Sequence, residues 1–470
     1  MAGTDQKENI MGTQKMSKLI LFTGIPLMVS LFINSLYNFV DSMFVSQVSE
    51  KALTALSLAA PVQILVSALG LGNAVGLNAV ISRALGRKDA GEVRRAADAA
   101  IFIAFCSWGV ITVLCLLFVK RYFAWQSGGD TVIAEYGVRY LTVCMLFSLG
   151  QMGQWVFDRF VIASGRSGLF LFTLSAASVT NLILDPIFIF GLFGVPRLET
   201  LGAAIATVIG QTVGMFAGIV INRKWNREIP FGFTLRPDRR SVADILKVGF
   251  PSALVQILTS FMGILMNSIL ITFSSTAVAV YEICIRIHGV STVGTHGITN
   301  GLIPIVAYNY GAADQKRVSD AVRWSLLYGV LFYLLFFAAL ELVPIRVLRV
   351  FEASDYLLEI GIPALRILAF AWLVAIPALI ISAGLQGLSM GMRSMILTMS
   401  RQAVLPLIFA GIFSRFGNLT LLWAGFLLAE FLGIPLALWF WKKGYRQIQE
   451  GKLDETVHSA FGSRRCSGKC

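Results

Sequence analysis

Charge is scarce in this chain: 14% of its 470 residues are Asp, Glu, Lys or Arg, where a soluble globular domain carries about 25%. That shortage excludes a soluble enzyme, and a 56% hydrophobic content excludes disorder. Histidine and cysteine are also few, at 3 and 6. His288, His296 and His458 stand alone and read as satisfied side chains rather than ligands. Cys106, Cys115, Cys144 and Cys284 lie inside apolar runs, and Cys466 and Cys470 sit in a basic tail without paired spacing. Neither a disulfide framework nor a zinc site is expected. The chain lacks a Walker lysine motif, HExxH and GxSxG, so nothing in it points to ATP hydrolysis, hydrolase chemistry or a bound cofactor. The 13 Pro and 43 Gly follow no G-X-Y period, which excludes a collagenous chain.

What the sequence does have is length in apolar segments, with a mean hydropathy of +0.74. Twelve runs reach the roughly 20 residues that cross a bilayer: 17–45, 52–80, 97–119, 132–157, 167–192, 200–222, 243–272, 276–307, 321–343, 357–386, 394–414 and 418–441. They lack the ten-residue alternation of a barrel, so the expected class is an all-α membrane protein. Residues 1–16 are polar and the first run leads into more membrane sequence, so no removable signal peptide is expected.

The net charge of +13 follows topology. With both termini on the inside, the outer loops hold only Lys51, Lys120, Arg121, Arg197, Arg346, Arg349 and Arg415 among 39 Lys and Arg, while Arg139, Arg286 and Arg366 fall in or beside apolar runs. The positive-inside rule thus predicts cytoplasmic termini. No nucleic-acid reading motif accompanies the charge, and the expected surroundings are the lipid bilayer itself.

Residues 24–96 align with 249–321 without a gap. Gly24 meets Gly249, Pro26 meets Pro251, Ser35 meets Ser260, Gly72 meets Gly297 and Gly76 meets Gly301. In the loops GRKDAGEVRRA and GAADQKRVSDA, Gly86, Asp89, Val93 and Ala96 match Gly311, Asp314, Val318 and Ala321. After a small indel, Asn181–Gly191 compares with Arg401–Gly411, pairing Pro186 with Pro406. An even number of spans per copy places both copies in one orientation, so the expectation is two six-helix bundles related by a pseudo-twofold along the membrane normal. The predicted organisation is a cytoplasmic segment 1–16, an N-lobe 17–222, a basic cytoplasmic linker 223–242, a C-lobe 243–441 and a basic tail 442–470.

Acids inside hydrocarbon are costly and each calls for a partner, water or a proton. Asn34, Tyr37, Asn38 and Asp41 recur at helical spacing and form one polar face of the first span. In the fifth span Asn181 and Asp185 stand one turn apart, followed by Pro186, which removes a backbone hydrogen bond. Both aspartates lie in the outer halves of their helices, so they are expected to converge in the N-lobe and form a proton-exchange site, the alternative being structural pairing with bases that the sequence does not place. The asparagines suit interhelical glue as well as ion contact. Pro26 is read as a hinge or a static kink, and Tyr140 as a cap on the polar pocket or an interfacial aromatic. In the second copy Met266 and Leu405 replace the two aspartates. There Glu282 and Arg286, one turn apart, predict an internal ion pair. Glu430 is read as a second titrating or cation-contacting acid or as neutralised by Arg366, and Glu341 and Glu352 as solvated helix ends. The abundance of Phe and Met suits an adaptable apolar cavity, and equally ordinary packing.

The ordered set of twelve spans in two copies, Pro26 and Asp41 in the first, the GRKDAGEVRRA loop with its second copy, and NLILDPIFIFG from Asn181 resembles the prokaryotic multidrug and toxic compound extrusion (MATE) transporters over roughly 17–445. The resemblance implies a V-shaped pair of bundles in a bacterial cytoplasmic membrane, exporting amphipathic organic cations in exchange for protons or sodium, and acting as a monomer. It also implies that Tyr37, Asp41, Asn181 and Asp185 form the cation site, with Pro26 at the bend. The sodium-coupled norfloxacin-exporter branch carries a glutamate in the seventh helix, and here PSALVQILTSFMGILMNS has no acid. The expectation is therefore proton antiport through Asp41 and Asp185, with sodium coupling or lipid-linked saccharide flipping as the alternatives.

Overall fold

The computed structural model describes residues 9–351 and 354–449, apart from the side chains of Asn38, Phe39 and Ser42. Glu352, His458, Cys466, Cys470 and most of the tail, as well as the side chain of Asn38, lie outside that description. Helices occupy almost all of the rest: α1 (Ile10–Thr13), α2 (Met16–Ser46), α3 (Glu50–Gly86), α4 (Ala90–Gln126), α5 (Thr131–Leu146), α6 (Leu149–Ala163), α7 (Ser167–Phe190), α8 (Thr200–Trp225), α9 (Arg239–Leu270), α10 (Ser275–Ser291), α11 (Val293–Gly311), α12 (Gln315–Leu342), α13 (Pro344–Arg349), α14 (Asp355–Gly387), α15 (Gly391–Met399), a π-helical turn Ser400–Val404, α16 (Leu405–Ser414) and α17 (Leu419–Gln449). Ten stretches are long and apolar enough to span a membrane, and the bent pairs α5–α6 and α10–α11 bring the total to twelve. Side chains such as Leu116, Phe172 and Leu335 stand exposed on the outer faces, as expected where lipid replaces water.

The two copies share local chemistry as well as sequence. Ser49 and Ser274 accept from the third amide of α3 and of α10, at Ala52 and Ala277. Asp89 and Asp314 do the same for Glu92 and Arg317 at the starts of α4 and α12. Each cap satisfies an amide that the helix leaves open. The residues before the aspartates, Lys88 and Ala313, both take the left-handed conformation, with φ of 57° and 59°. The duplicated loop is thus a helix stop and restart.

Each lobe has its own hydrophobic core, yet the first turns of α2 (Met16, Leu19, Ile20) join the C-lobe core, and Ile245 of α9 joins the N-lobe core. We call the end bearing Asn9 and the linker the base, and the opposite end the mouth. The lobes meet from the middle to the base along α3 against α9 and α2 against α11. Gly72 lies against Gly249, where a Cβ on Gly72 would sit 2.8 Å from the Gly249 carbonyl oxygen. Its counterpart, Gly297, lies against Gly24 and Met28. Nearer the base, Gly86 packs on the Tyr308 carbonyl and Gly311 on that of Arg83. The glycines that carried the sequence repeat are therefore the residues that let the two lobes touch backbone to backbone.

A short strap from Asn9 to Gln14 crosses the base. Asn9 donates to Glu228 at 2.8 Å and to the Ser164 carbonyl at 3.2 Å on the N-lobe side. On the C-lobe side Arg317 donates to the Met11 and Gln14 carbonyls at 2.8 and 2.9 Å, and Asn309 to Met11 at 3.1 Å.

Candidate functional site

The polar face of α2 points into the N-lobe. Tyr37 and Asp41 line a cavity of about 400 Å³ together with Ser57, Gln63, Tyr140 and Gln211. A second cavity, about 300 Å³, adjoins it and is lined by Asn34, Asn181, Gln151 and Gln154. Tyr37, Ser67, Gln151, Thr207 and Gln211 border both. The two form one polar chamber enclosed by α2, α3, α5, α6, α7 and α8. Leu53 and Leu56, early in α3, place its upper part at the mouth.

The predicted aspartates come together at the wall of this chamber, Asp41 lining it and Asp185 buried behind. The Asp41 and Asp185 carboxyls lie within interaction range of each other, and Asp185 is fully buried. With its amide turned to satisfy both ends, Asn181 donates to Asp185 Oδ2 at 2.7 Å and accepts from the Thr207 amide at 3.0 Å. Tyr37 and Thr207 line the chamber together. Asp41 Oδ1 is buried and has no partner among the described atoms, an expensive position for an oxygen that receives neither a proton nor a cation. Pro186 sits inside α7 directly after the acid, and Pro26 lies inside α2, with the Ser30 hydroxyl bonded to its carbonyl at 2.7 Å. Tyr140 is a chamber residue rather than an interfacial one: it is buried, and Gln63 donates to its hydroxyl at 3.0 Å.

The second-lobe expectations need three corrections. Glu282 and Arg286 form no ion pair among the described residues; Glu282 instead accepts from Asn267 at 2.9 Å across to α9. Glu430 is neutralised, but by Arg401, whose Nη1 lies 2.6 and 2.7 Å from its two carboxylate oxygens. Arg366 reaches Glu341 at 3.5 Å instead, so Glu341 is not merely solvated. Arg401 belongs to the π-helical turn, and its aliphatic stem packs on Gly433 while the guanidinium reaches Glu430. At the position that Asn181 holds in the first copy, the second copy therefore carries a closed ion pair. Sequence reasoning missed Asp158, Gln63, Gln151, Gln154, Thr207 and Gln211. The glutamines carry no charge to flag them, and Asp158 fell one residue past the end assigned to the fourth run.

A family model described as MatE matches residues 26–187 and again 251–412. Among curated proteins, the multidrug export protein MepA of Staphylococcus haemolyticus is 24% identical over 426 residues, covering 90% of this chain and 92% of its own length. An FAD transporter of Shewanella oneidensis is 24% identical over 348 residues, covering 73% and 76%. A solved MATE structure in the straight conformation superposes with a TM-score of 0.85 at 25% identity, covering 96% of this chain and all of that one.

Proposed function

The chain belongs to the MatE family of membrane transporters, and on that premise we propose that it exports amphipathic organic cations in exchange for protons carried by Asp41 and Asp185. The observation that carries this reading is the meeting of two buried carboxyls from α2 and α7 at the wall of a polar chamber, with Asp41 Oδ1 left without a partner among the described atoms. Two buried carboxylates this close repel, and a proton bound by the pair relieves that repulsion. An organic cation entering the chamber is stabilised by the ionised pair, so cation and proton compete for one charge. Asn181 holds the pair in register, and Pro186 and Pro26 each remove one backbone hydrogen bond from α7 and α2, the Phe22 carbonyl one turn before Pro26 accepting instead from Ser167 at 3.4 Å.

In this reading the basic base faces the cytoplasm, both termini lie there, and the chamber opens through the mouth to the outside. Residues 17–222 and 243–441 are the two lobes that rock about the glycine seam, and the monomer suffices. Loss of both base-side contacts and chamber protons on the inward swing resets the cycle.

Sodium is the second reading, because paired carboxylate oxygens, an asparagine amide and hydroxyls form an oxygen-rich donor set for a hard cation. Lipid-linked saccharide flipping is disfavoured, since a pyrophosphate needs cationic cavity residues and the polar cluster of this chamber is acidic. In proteoliposomes an imposed pH gradient at fixed sodium drives ethidium-like dye efflux in the wild type, and Asp41→Asn abolishes it. Efflux driven by sodium alone at fixed pH selects the second reading.

A further inference from the structure

The polar row on α6 runs past the floor of the chamber. Gln151 and Gln154 line the chamber, and Asp158 follows them at i+7 and i+4, about 10 Å nearer the base than Gln151 at 1.5 Å per residue. Asp158 is 3% exposed. Thr173 Oγ1 lies 2.5 Å from its Oδ1, Gln154 stands one turn before Asp158 on the same helix face, and Oδ2 is buried with no partner.

The Thr173 hydroxyl also sits 2.9 Å from the Phe170 carbonyl, yet it has one hydrogen to give. Placed on that carbonyl, as threonines in helices often place it, it leaves the short contact to be made by a hydrogen on Asp158. Helices α3, α4, α7, α8 and α11 pack around α6. Among the described residues the only charged group set against Asp158 is Arg159, its neighbour on α6. Arg159 is turned away toward Asn300 of α11, 3.3 Å across the lobe interface. In this base-closed arrangement Asp158 thus has no full counter-ion bond, and the one cation near it is engaged by the other lobe.

We infer that Asp158 is a further proton-binding carboxyl of the transport cycle, the base-side station of the N-lobe chamber. The inference rests on the proton-coupled reading above. A proton leaves the Asp41–Asp185 pair, crosses chamber water past Gln154, and forms a new O–H bond on an ionised Asp158. When the lobes part at the base, that bond breaks to cytoplasmic water, and Arg159, released from Asn300, stabilises the carboxylate left behind. One proton enters and one leaves.

The test is proton-driven dye efflux by the full chain in proteoliposomes, with protons and dye counted together. Asp158→Asn keeps the shape and the contact to Thr173, so the protein should melt as the wild type does and bind dye equally, while efflux falls about tenfold or more and the proton count per dye drops. Asp158→Glu, which restores a carboxyl, should recover coupling. Unchanged efflux and proton count in Asp158→Asn overturn the inference while leaving the pair intact; a wild type that moves dye with no proton at all removes the pair and Asp158 together. Should Asp158→Asn fail to fold, Thr173→Val removes the hydroxyl instead: a shifted pH profile of efflux supports the assignment, and an unshifted one overturns it.

Discussion

At the residue scale, two ionic contacts with opposite surroundings make opposite predictions. The Arg401–Glu430 pair is buried, with side chains 3% and 12% exposed. Removing one partner strands a charge, so Glu430→Ala should destabilise by about 3–5 kcal/mol, whereas replacing both residues by apolar ones of similar size should cost far less. Thermal unfolding in detergent of the two single variants and the double variant measures this. At the mouth, Asp130 caps α5 and bonds Lys51 at 2.7 Å, tying the starts of α3 and α5 together. The Lys51 ammonium, then the Ile133 and Val132 amides, hold the Asp130 carboxyl below the usual carboxylate range. A group with a depressed folded value contributes stability above its unfolded value and loses it as pH falls through the folded one. The melting difference between wild type and Asp130→Asn should therefore be constant from neutral pH down to mildly acidic pH and shrink in stronger acid; a difference that grows in acid contradicts the assignment.

At the element scale, the sequence was most legible where chemistry is local and least where backbone geometry decides. The twelve apolar runs, the tandem repeat and the acids of α2 and α7 are periodic or charged, and the structure brings Asp41, Asp185, Asn181 and Tyr37 together around Thr207. Two breaks were not legible. The runs 132–157 and 276–307 read as continuous helices, yet they bend by 45° after Leu146 and by 52° at Thr292. No proline marks either site. Instead Ser148 bonds the Met145 carbonyl at 2.9 Å, and Thr292 bonds that of His288 at 2.6 Å, so hydroxyls compete with the helix for its carbonyls. The π-helical turn that aims Arg401 at Glu430 was equally hidden, since one extra residue in a turn leaves the hydropathy unchanged. Ser148→Ala with Thr292→Val should straighten these spans and slow transport without lowering the melting temperature, as measured by dye efflux beside thermal unfolding.

At the scale of the whole molecule, the base is closed by two devices of different strength. The seam of Gly72, Gly249, Gly24 and Gly297 packs backbone on backbone, so Gly72→Leu must push the lobes apart. The strap of Asn9–Gln14 adds charge-assisted hydrogen bonds from Arg317, each worth about 1.5–3 kcal/mol. Arg317→Ala should therefore raise the share of molecules with an open base, read as a longer spin-label distance between positions 94 and 323, and Gly72→Leu should raise it further. An unchanged distance in both would mean that the lobes are held elsewhere.

The central claim is that a proton and an organic cation compete for the Asp41–Asp185 pair. Proton release on cation binding by detergent-solubilised protein in weak buffer tests it most directly. The account predicts that adding a hydrophobic cation acidifies the wild-type solution and that the release largely disappears in the Asp41→Asn, Asp185→Asn double variant. Equal release from both proteins, or binding by the wild type with no release at all, would contradict it.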